Sequence, residues 1–565
     1  PTAARTDMLY QSYEDYVDAH NGDSLTLTID AVIQSYVEKH LAQAVEDYDI
    51  QNGAAAICME VDTGAILSMV SLGNFDLNDY QTISAEAEAE ISAAAQSEEE
   101  YDELYALAQQ QQWRNKAISD TYEPGSTFKI ITLAMALEEG VVNENSSFYC
   151  GGSMNVLGRG SPLKCWKYGG HGPQSLTQAV QHSCNVAFVN IGQLVGEEKF
   201  YEYAEGFGFI ERTADTSQQL TAKTGIDLGG ERGSMWWCEA VFCKSEYLSQ
   251  LAAASFGQTF NITPIQLITV VSACVNGGRL MQPYLVQSVE DPQGNLVSQT
   301  EPQVVCQVVS EETSASVRRI LEQVVSDQTE GTGHNAYVAG YRIGGKTGTS
   351  TKTTKEISGE KEYIVSFIGF APADDPEVAI LVLLDDPSSE SGIYISGGQM
   401  AAPVVGKMMA DILPYLGYEP EYTDSELAAA DKAVPELTGM SITQAKSALS
   451  ESGLGCRVIG EGDTVTDQLP RAGAVIAAGS EVLLYAGQNP APTTETMPDL
   501  RGLSYEAARQ RLGELGLYLT AENGVTDPAA QLVSAQSTAP GEELAHGSVV
   551  GVTLYENEAS MLGEY

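Results

Sequence analysis

Tyr122-Glu123-Pro124-Gly125-Ser126-Thr127-Phe128-Lys129 is the stretch on which the reading of this chain turns. Pro124-Gly125 stops any helix from running in from upstream. Beyond it, Phe128, Ile131, Leu133, Ala136 and Leu137 predict an apolar helix that begins at Ser126. A spacing of three puts Lys129 on the same helix face as Ser126, one turn along. A serine hydroxyl is a weak nucleophile near neutral pH and needs a base within hydrogen-bond reach. A lysine is normally protonated, with a reference pKa of about 10.4, and serves as that base only where its charge is disfavoured. Burial beneath the helix, the positive end of the helix dipole and a second nearby cation all act in that direction.

Two further motifs give the pair a context. Ser183-Cys184-Asn185 offers a hydroxyl that relays a proton to a leaving amine and an amide that holds a peptide backbone. Lys346-Thr347-Gly348-Thr349 follows Gly344-Gly345 and a strand-like run from Tyr337. Its lysine and hydroxyls predict a cationic seat for a substrate carboxylate. Gly348, without a side chain, lets the strand lie close against a substrate. The backbone N–H groups of Ser126 and Thr349 form a candidate oxyanion hole, worth about 3 kcal/mol per donor. The catalytic candidates are therefore Ser126, Lys129, Ser183, Asn185 and Lys346, and the substrate-binding candidates Thr347, Gly348 and Thr349.

Each motif alone has a bland reading. Ser-x-x-Lys at a helix start is more often a capping serine with a solvated lysine. A second Lys-Thr-Gly, Lys223-Thr224-Gly225, runs into Ile226 to Glu231, which reads as a turn and not a strand. The ordered set carries the argument, with Ser183 57 residues beyond Ser126 and Lys346 163 beyond Ser183.

At 565 residues the chain is too long for one core, and two to four domains are expected. A net charge of −48 lacks the basic footprint that nucleic-acid binding needs, and disfavours docking on anionic lipid. No run reaches the roughly 18 apolar residues of a membrane span; Leu267 to Val275 reads as a core helix. Nine cysteines stand without C-x-x-C pairs beside only six histidines, so spacing offers no metal pattern and no cofactor is expected. Cys150 and Cys165 flank a glycine-rich loop and are a candidate disulfide, with Cys238 and Cys243 a weaker one, while most of the nine are expected to be free thiols.

Ahead of the first motif, Leu25 to Ile29 reads as a strand and Asp30 as the cap of an amphipathic helix through Ile33, Val37 and Leu41. Ala54 to Val61 and Ala65 to Val70 read as strands joined by a turn at Asp62-Thr63-Gly64. Gln81 to Gln112 reads as an exposed helical insertion, with a disordered segment as the alternative. Residues 175–210 and 245–278 look helical. Tyr337 to Gly345, Tyr363 to Pro372 and Val378 to Leu384 look like strands. The sum is an α+β domain, a sheet flanked by helices. Further on, Val434-Pro435-Glu436-Leu437-Thr438-Gly439-Met440 recurs 63 residues later as Met497-Pro498-Asp499-Leu500-Arg501-Gly502-Leu503. Each copy continues into an Ala-rich helix, a Gly-Leu turn and Gln-x-x-x-x-Gly, which marks two copies of one small helix-on-sheet module. The expected organisation is a remnant of a preceding region (1–23), the α+β domain (24–417), an acidic linker (418–433), a first module (434–488), a Pro/Thr linker (489–496), a second module (497–556) and a tail (557–565).

Ser-x-x-Lys, Ser-x-Asn and Lys-Thr-Gly in this order mark penicillin-binding proteins and class A β-lactamases. With Asp62-Thr63-Gly64, Gly257-Gln258-Thr259, Glu330 to Gly333 and Phe370-Ala371-Pro372 beside them, the chain resembles class B high-molecular-mass penicillin-binding proteins. The repeats resemble PASTA domains. Cys184 departs from the usual Asp of the second motif, and Gly229 stands where the family usually has proline. The resemblance implies a penicillin-recognising serine transpeptidase fold, with Ser126 as acyl-enzyme nucleophile and Lys129 as its base. It implies peptidoglycan stem peptides ending in D-Ala-D-Ala as substrate, β-lactams as covalent inhibitors, and membrane division or sporulation proteins as partners. It also implies a place at the extracytoplasmic face of the cell membrane, held by an N-terminal anchor outside this sequence. The rivals are a β-lactamase or β-lactam sensor on the same fold, where the lactamase reading lacks a Glu-x-x-Leu-Asn-like segment between Ser183 and Lys346, and a non-catalytic wall-binding scaffold.

Overall fold

The computed structural model describes residues 21–73, 75–211, 219–244, 248–352, 362–423, 431–477, 480–487, 494–513, 515–521, 531–545 and 547–556. Most of 1–23, the middle of the acidic linker, most of the Pro/Thr linker and the 557–565 tail lie outside the described residues. The chain forms two compact units, residues 1–419 and 420–565.

The first unit is built on one antiparallel sheet. Its elements are α1 (Ala31–Asp47), β1 (Ala54–Glu60), β2 (Ile66–Leu72), α2 (Lys129–Glu138), α3 (Leu176–Gln181), α4 (Asn185–Val195), α5 (Pro264–Val275), α6 (Glu311–Ser326), β3 (Gly344–Thr351), β4 (Tyr363–Ala371), β5 (Val378–Asp385) and α7 (Ala402–Tyr415). The strand order is β3-β4-β5-β1-β2. Alternation along β1 explains the layering. Ala55, Ile57 and Met59 enter a core shared with α2, α4, α5 and α6, whereas Ala54, Ala56 and Cys58 enter a second core shared with α1 and α7. With helices on both faces, β5 is apolar at every position but its last, since both of its faces are buried.

Local sequence accounts for the frame. Asp30 accepts from the Val32 and Ile33 N–H groups at 2.8 and 3.1 Å and starts α1, which buries Ile33, Val37, Leu41 and Ala44. Thr263 and Gln266 form a capping box ahead of Pro264, and all twelve residues of α5 are buried. The insertion contains helices Ala85–Ala94 and Glu98–Gln112, capped by Ser84 and Ser97. Residues 175–210 are largely helical, in three short helices (α3, α4 and Glu197–Gly206).

One strand expectation is corrected. Tyr337 to Ile343 is not a strand: a short 3-10 turn at His334–Ala336 and an isolated Val338–Tyr341 bridge occupy that stretch. The strand begins at Gly344 and contains the whole Lys-Thr-Gly motif. Gly344 and Gly345 are required there because a Cβ at either would run into the Phe370 or Phe367 ring on β4. Ring packing across the pair thus holds β3 tightly at the sheet edge.

In the second unit each repeat places one helix (Ile442–Glu451; Tyr505–Gly513) on a three-stranded sheet. The sheets are Gly455–Ile459, Glu481–Ala486 and Val465–Leu469, and Tyr518–Ala521, Val549–Glu556 and Gln531–Gln536. The repeated glutamine has a job. Gln468 receives the Leu437 N–H at 2.7 Å and donates to the Pro435 carbonyl at 2.9 Å. Gln536 makes the same two bonds, to Leu500 N–H at 2.8 Å and Pro498 carbonyl at 3.1 Å. It pins the Pro-x-Leu opening of each module to its sheet.

Candidate active site

Ser126 sits on a single 3-10 turn, Gly125–Phe128, which leads directly into α2. The α-helix proper therefore begins at Lys129, three residues later than the apolar pattern suggests. Gly125 adopts φ +56, and a Cβ there would come within 3.0 Å of the Thr349 carbonyl oxygen. The nucleophile turn is thus seated against β3, which a side chain at 125 would prevent.

Lys129 is 1 % exposed, and its Nζ is the hub of the site. It lies 3.0 Å from Ser126 Oγ, 2.8 Å from the Ser183 carbonyl oxygen, 3.1 Å from Ser183 Oγ and 2.7 Å from Asn185 Oδ1. The Phe188 and Phe256 rings cover it at 5.4 and 6.0 Å. Burial pushes Lys129 down to about 7. The partner set suits a neutral amine. Its two N–H groups satisfy the pure acceptors, Ser183 O and Asn185 Oδ1, and its lone pair is left for a hydroxyl proton.

The turn that delivers Ser183 is unusual. Ser183 has φ +50, in the left-handed region that non-glycine residues seldom occupy. This conformation lies between the end of α3 and the start of α4, and it aims both the carbonyl and the hydroxyl of one residue at Lys129. Cys184 follows as the cap of α4, fully buried, with its sulfur accepting the Ala187 N–H at 3.4 Å. Cysteine thus takes the helix-capping place that an Asp would fill there.

Lys346 meets the expected carboxylate seat through Thr347. It is fully buried on the inner face of β3, with Nζ on the Thr347 carbonyl and hydroxyl at 3.3 and 3.2 Å. Burial pushes it well below the usual lysine value, and the charge on Lys129 pushes further. Desolvation is the leading cause for both lysines, and each would disfavour the other's charge. Thr347 and Thr349 line the open cavity, the Thr347 hydroxyl within reach of Lys346 Nζ and Thr349 Oγ1 accepting the Gly397 N–H at 3.2 Å. Gly348 also has a packing reason to be bare. A Cβ at this position would overlap Ser366 Oγ and stand 3.0 Å from Thr127 Cγ2 and 3.2 Å from the Pro124 carbonyl. Its bareness seats the strand on the nucleophile turn.

Ser126, Ser183, Asn185, Thr347 and Thr349 share one cavity of about 460 Å³. Its other walls include Trp166, Glu330, His334 and Tyr394. Trp166 donates Nε1–H to the His182 carbonyl at 2.9 Å, and His182 Nε2 meets Glu330 at 2.7 Å. Glu330 lay in a stretch that the resemblance marked, but Trp166 and Tyr394 had no signal beyond being aromatic residues among glycines and serines. The second Lys-Thr-Gly lies elsewhere. Glu231 accepts from Thr224 N–H, Thr224 Oγ1–H and Gly225 N–H at 2.6, 2.7 and 3.1 Å, which closes that segment into a turn.

The nine cysteines are free thiols, so neither Cys150–Cys165 nor Cys238–Cys243 is a disulfide. Among the described residues no helix is long and apolar enough to cross a membrane.

Comparison with known proteins agrees with this geometry. Residues 54–410 match the penicillin binding protein transpeptidase domain, and residues 432–488 and 495–556 match the PASTA domain. The chain is 39 % identical to stage V sporulation protein D of Bacillus subtilis strain 168, over 86 % of this chain and 68 % of that protein. It is 28 % identical to the penicillin-binding protein PbpB of Mycolicibacterium smegmatis, over 71 % of this chain and 56 % of that one. The chain thus spans between about half and two thirds of the length of these relatives. Among solved structures it is similar to penicillin-binding protein 3 of Mycobacterium tuberculosis complexed with aztreonam, with a TM-score of 0.58 and 25 % identity, covering 72 % of this chain and 82 % of that one. The chain belongs to the penicillin-binding protein transpeptidase family and carries two PASTA domains behind its transpeptidase domain.

Proposed function

We propose that this chain is a peptidoglycan-cross-linking D,D-transpeptidase that works through an acyl-enzyme on Ser126. The observation that carries the reading is the buried Lys129 Nζ, 3.0 Å from Ser126 Oγ and pushed down to about 7 by its surroundings. A base with a pKa near the working pH is the most effective proton acceptor. Ser126 Oγ attacks the carbonyl between the two D-Ala residues of a stem peptide, and its proton passes to Lys129. The N–H groups of Ser126 and Thr349 receive the oxyanion. On collapse the C–N bond breaks, and the proton returns through Ser183 to the departing D-Ala amine, leaving an ester on Ser126. An acceptor amine from a second stem peptide then attacks the ester, gives up a proton by the same route and restores the serine. Thr347 and Thr349 hold the substrate carboxylate, Asn185 its backbone, and Lys346 supports the strand from beneath. A β-lactam follows the same first step, but its leaving nitrogen stays tethered.

The proposed setting is the extracytoplasmic face of the membrane, among division or sporulation proteins; the likeness to a stage V sporulation protein supports the latter. The PASTA pair, acidic and without an evident basic or aromatic cluster, is assigned to bracing or positioning the catalytic unit. Incubation with a fluorescent penicillin tests the reading. A covalent label that persists for many minutes, absent in Ser126→Ala, supports the transpeptidase. Rapid loss of label with hydrolysed drug would make the protein a lactamase, and no label at all a scaffold.

A further inference from the structure

Beside the acylation machinery, four side chains from four separate stretches meet. Cys150 ends the strand Ser147–Cys150, Cys165 follows the strand Leu163–Lys164, His171 precedes the strand Gly172–Ser175, and Cys184 caps α4. Their sulfur and ring-nitrogen atoms all lie within 4.8 Å of one another. Cys150 and Cys184 are fully buried and Cys165 nearly so, and no disulfide joins them.

We propose that Cys150, Cys165, His171 and Cys184 form a structural zinc site that fastens the Ser183-Cys184-Asn185 turn in place. Zinc takes thiolate sulfur at about 2.3 Å and imidazole nitrogen at about 2.0–2.1 Å in tetrahedral sites. Those bond lengths and a tetrahedral angle require about 3.8 Å between two sulfurs and about 3.6 Å between sulfur and nitrogen. Cys165 Sγ stands 3.9 Å from Cys184 Sγ and 3.7 Å from His171 Nδ1. Three sulfurs and one imidazole make a complete four-ligand set, the composition of a closed structural site and not of an open catalytic one. Soft sulfur donors exclude calcium and magnesium as occupants.

The surroundings orient the histidine. Its ring stacks on His182 at 4.9 Å with 6° between planes, and Trp166 packs edge-on at 5.4 Å. These are the same Trp166 and His182 that connect to the cavity through the His182 carbonyl and Glu330. Cys184 lies between the two residues that hold Lys129, and Ser183 is in a backbone conformation that needs support from its surroundings. A metal bond at Cys184 supplies that support. The inference stands on the cluster geometry and survives even if the transpeptidase reading fails; only its consequence for acylation depends on that reading.

The test uses the full chain, purified under reducing conditions and dialysed against zinc. Elemental analysis is expected to find about one zinc per chain. A mercurial reagent should release it in step with three thiols, read with a metallochromic dye. Cobalt in its place should show thiolate charge transfer and the strong visible bands of a tetrahedral site. Cys150→Ser and His171→Ala should each lose the bound zinc; if either fails to fold, the mercurial and cobalt measurements on the unmodified chain still decide. Removing zinc with a chelator should slow acylation by about tenfold or more, and adding it back should restore the rate. Zinc far below one per chain, zinc retained in both variants, an octahedral cobalt spectrum, or a Cys165–Cys184 disulfide formed with the zinc-loaded chain would overturn the site. An unchanged acylation rate in the stripped chain would overturn its link to the second motif.

Discussion

Acylation should follow the proton of Lys129. The perturbation is pH alone, and the magnitude comes from the site. With Lys129 pushed down to about 7 by burial, about one-tenth of the molecules carry the neutral amine at pH 6 and about nine-tenths at pH 8. The sign is set by the role: only the neutral form takes the Ser126 proton. The second-order rate of acylation by a stable β-lactam should therefore rise about tenfold from pH 6 to pH 8 and level off above it. Lys346, already held well below the ordinary lysine value, adds no second step near pH 10. Stopped-flow measurement with a chromogenic or fluorescent penicillin gives the profile, and Lys129→Ala gives the control. In that variant the rate should fall by about 10² to 10⁴-fold and lose its inflection, while initial noncovalent binding changes little. A flat profile between pH 6 and 8, a midpoint near 10, or a Lys129→Ala rate within a few-fold of the unmodified protein would refute the assignment of the base.

Three other outcomes follow from particular contacts. Gly348→Val should push β3 off the nucleophile turn, because its side chain has nowhere to go between Ser366, Thr127 and the Pro124 carbonyl; acylation should drop by about 10²-fold, measured by gel labelling. Gln468→Leu should strand the Leu437 N–H and the Pro435 carbonyl and cost the first repeat about 2 kcal/mol, seen as faster hydrogen exchange within 434–486 with acylation unchanged. Residues 434–556 should bind muropeptides weakly or not at all in calorimetry, since an acidic surface repels a carboxylate-bearing polymer, and micromolar affinity would make the repeats a wall sensor.

The parts of the site that follow local rules were legible in the sequence. α1 starts where its Asp30 cap places it, and Ser126 and Lys129, three residues apart behind a Pro-Gly stop, meet at 3.0 Å although the α-helix itself begins only at Lys129. The repeat at residues 434 and 497 was readable because its turn residues recur at fixed offsets. Legibility failed where a side chain's direction depends on its neighbours. That Lys346 is fully buried while Thr347 and Thr349 line the cavity is a matter of strand register, which begins at Gly344 and is fixed by Phe367 and Phe370 across the pair. Tyr337 to Ile343 has strand-forming residues but lies outside the sheet. The cysteine cluster was invisible for a related reason. Metal patterns in sequence are recognised when ligands come in close pairs, whereas Cys150, Cys165, His171 and Cys184 arrive from strand ends and a helix cap that only the folded chain brings together.

The most direct measurement is peptide mapping by mass spectrometry of the chain after brief exposure to penicillin and, separately, to a stem-peptide donor ending in D-Ala-D-Ala. The account predicts one adduct in each case, on the peptide that contains Ser126, with D-Ala released from the donor. An adduct on Ser183 or any other residue, or penicillin acylation without any D-Ala release, would contradict it.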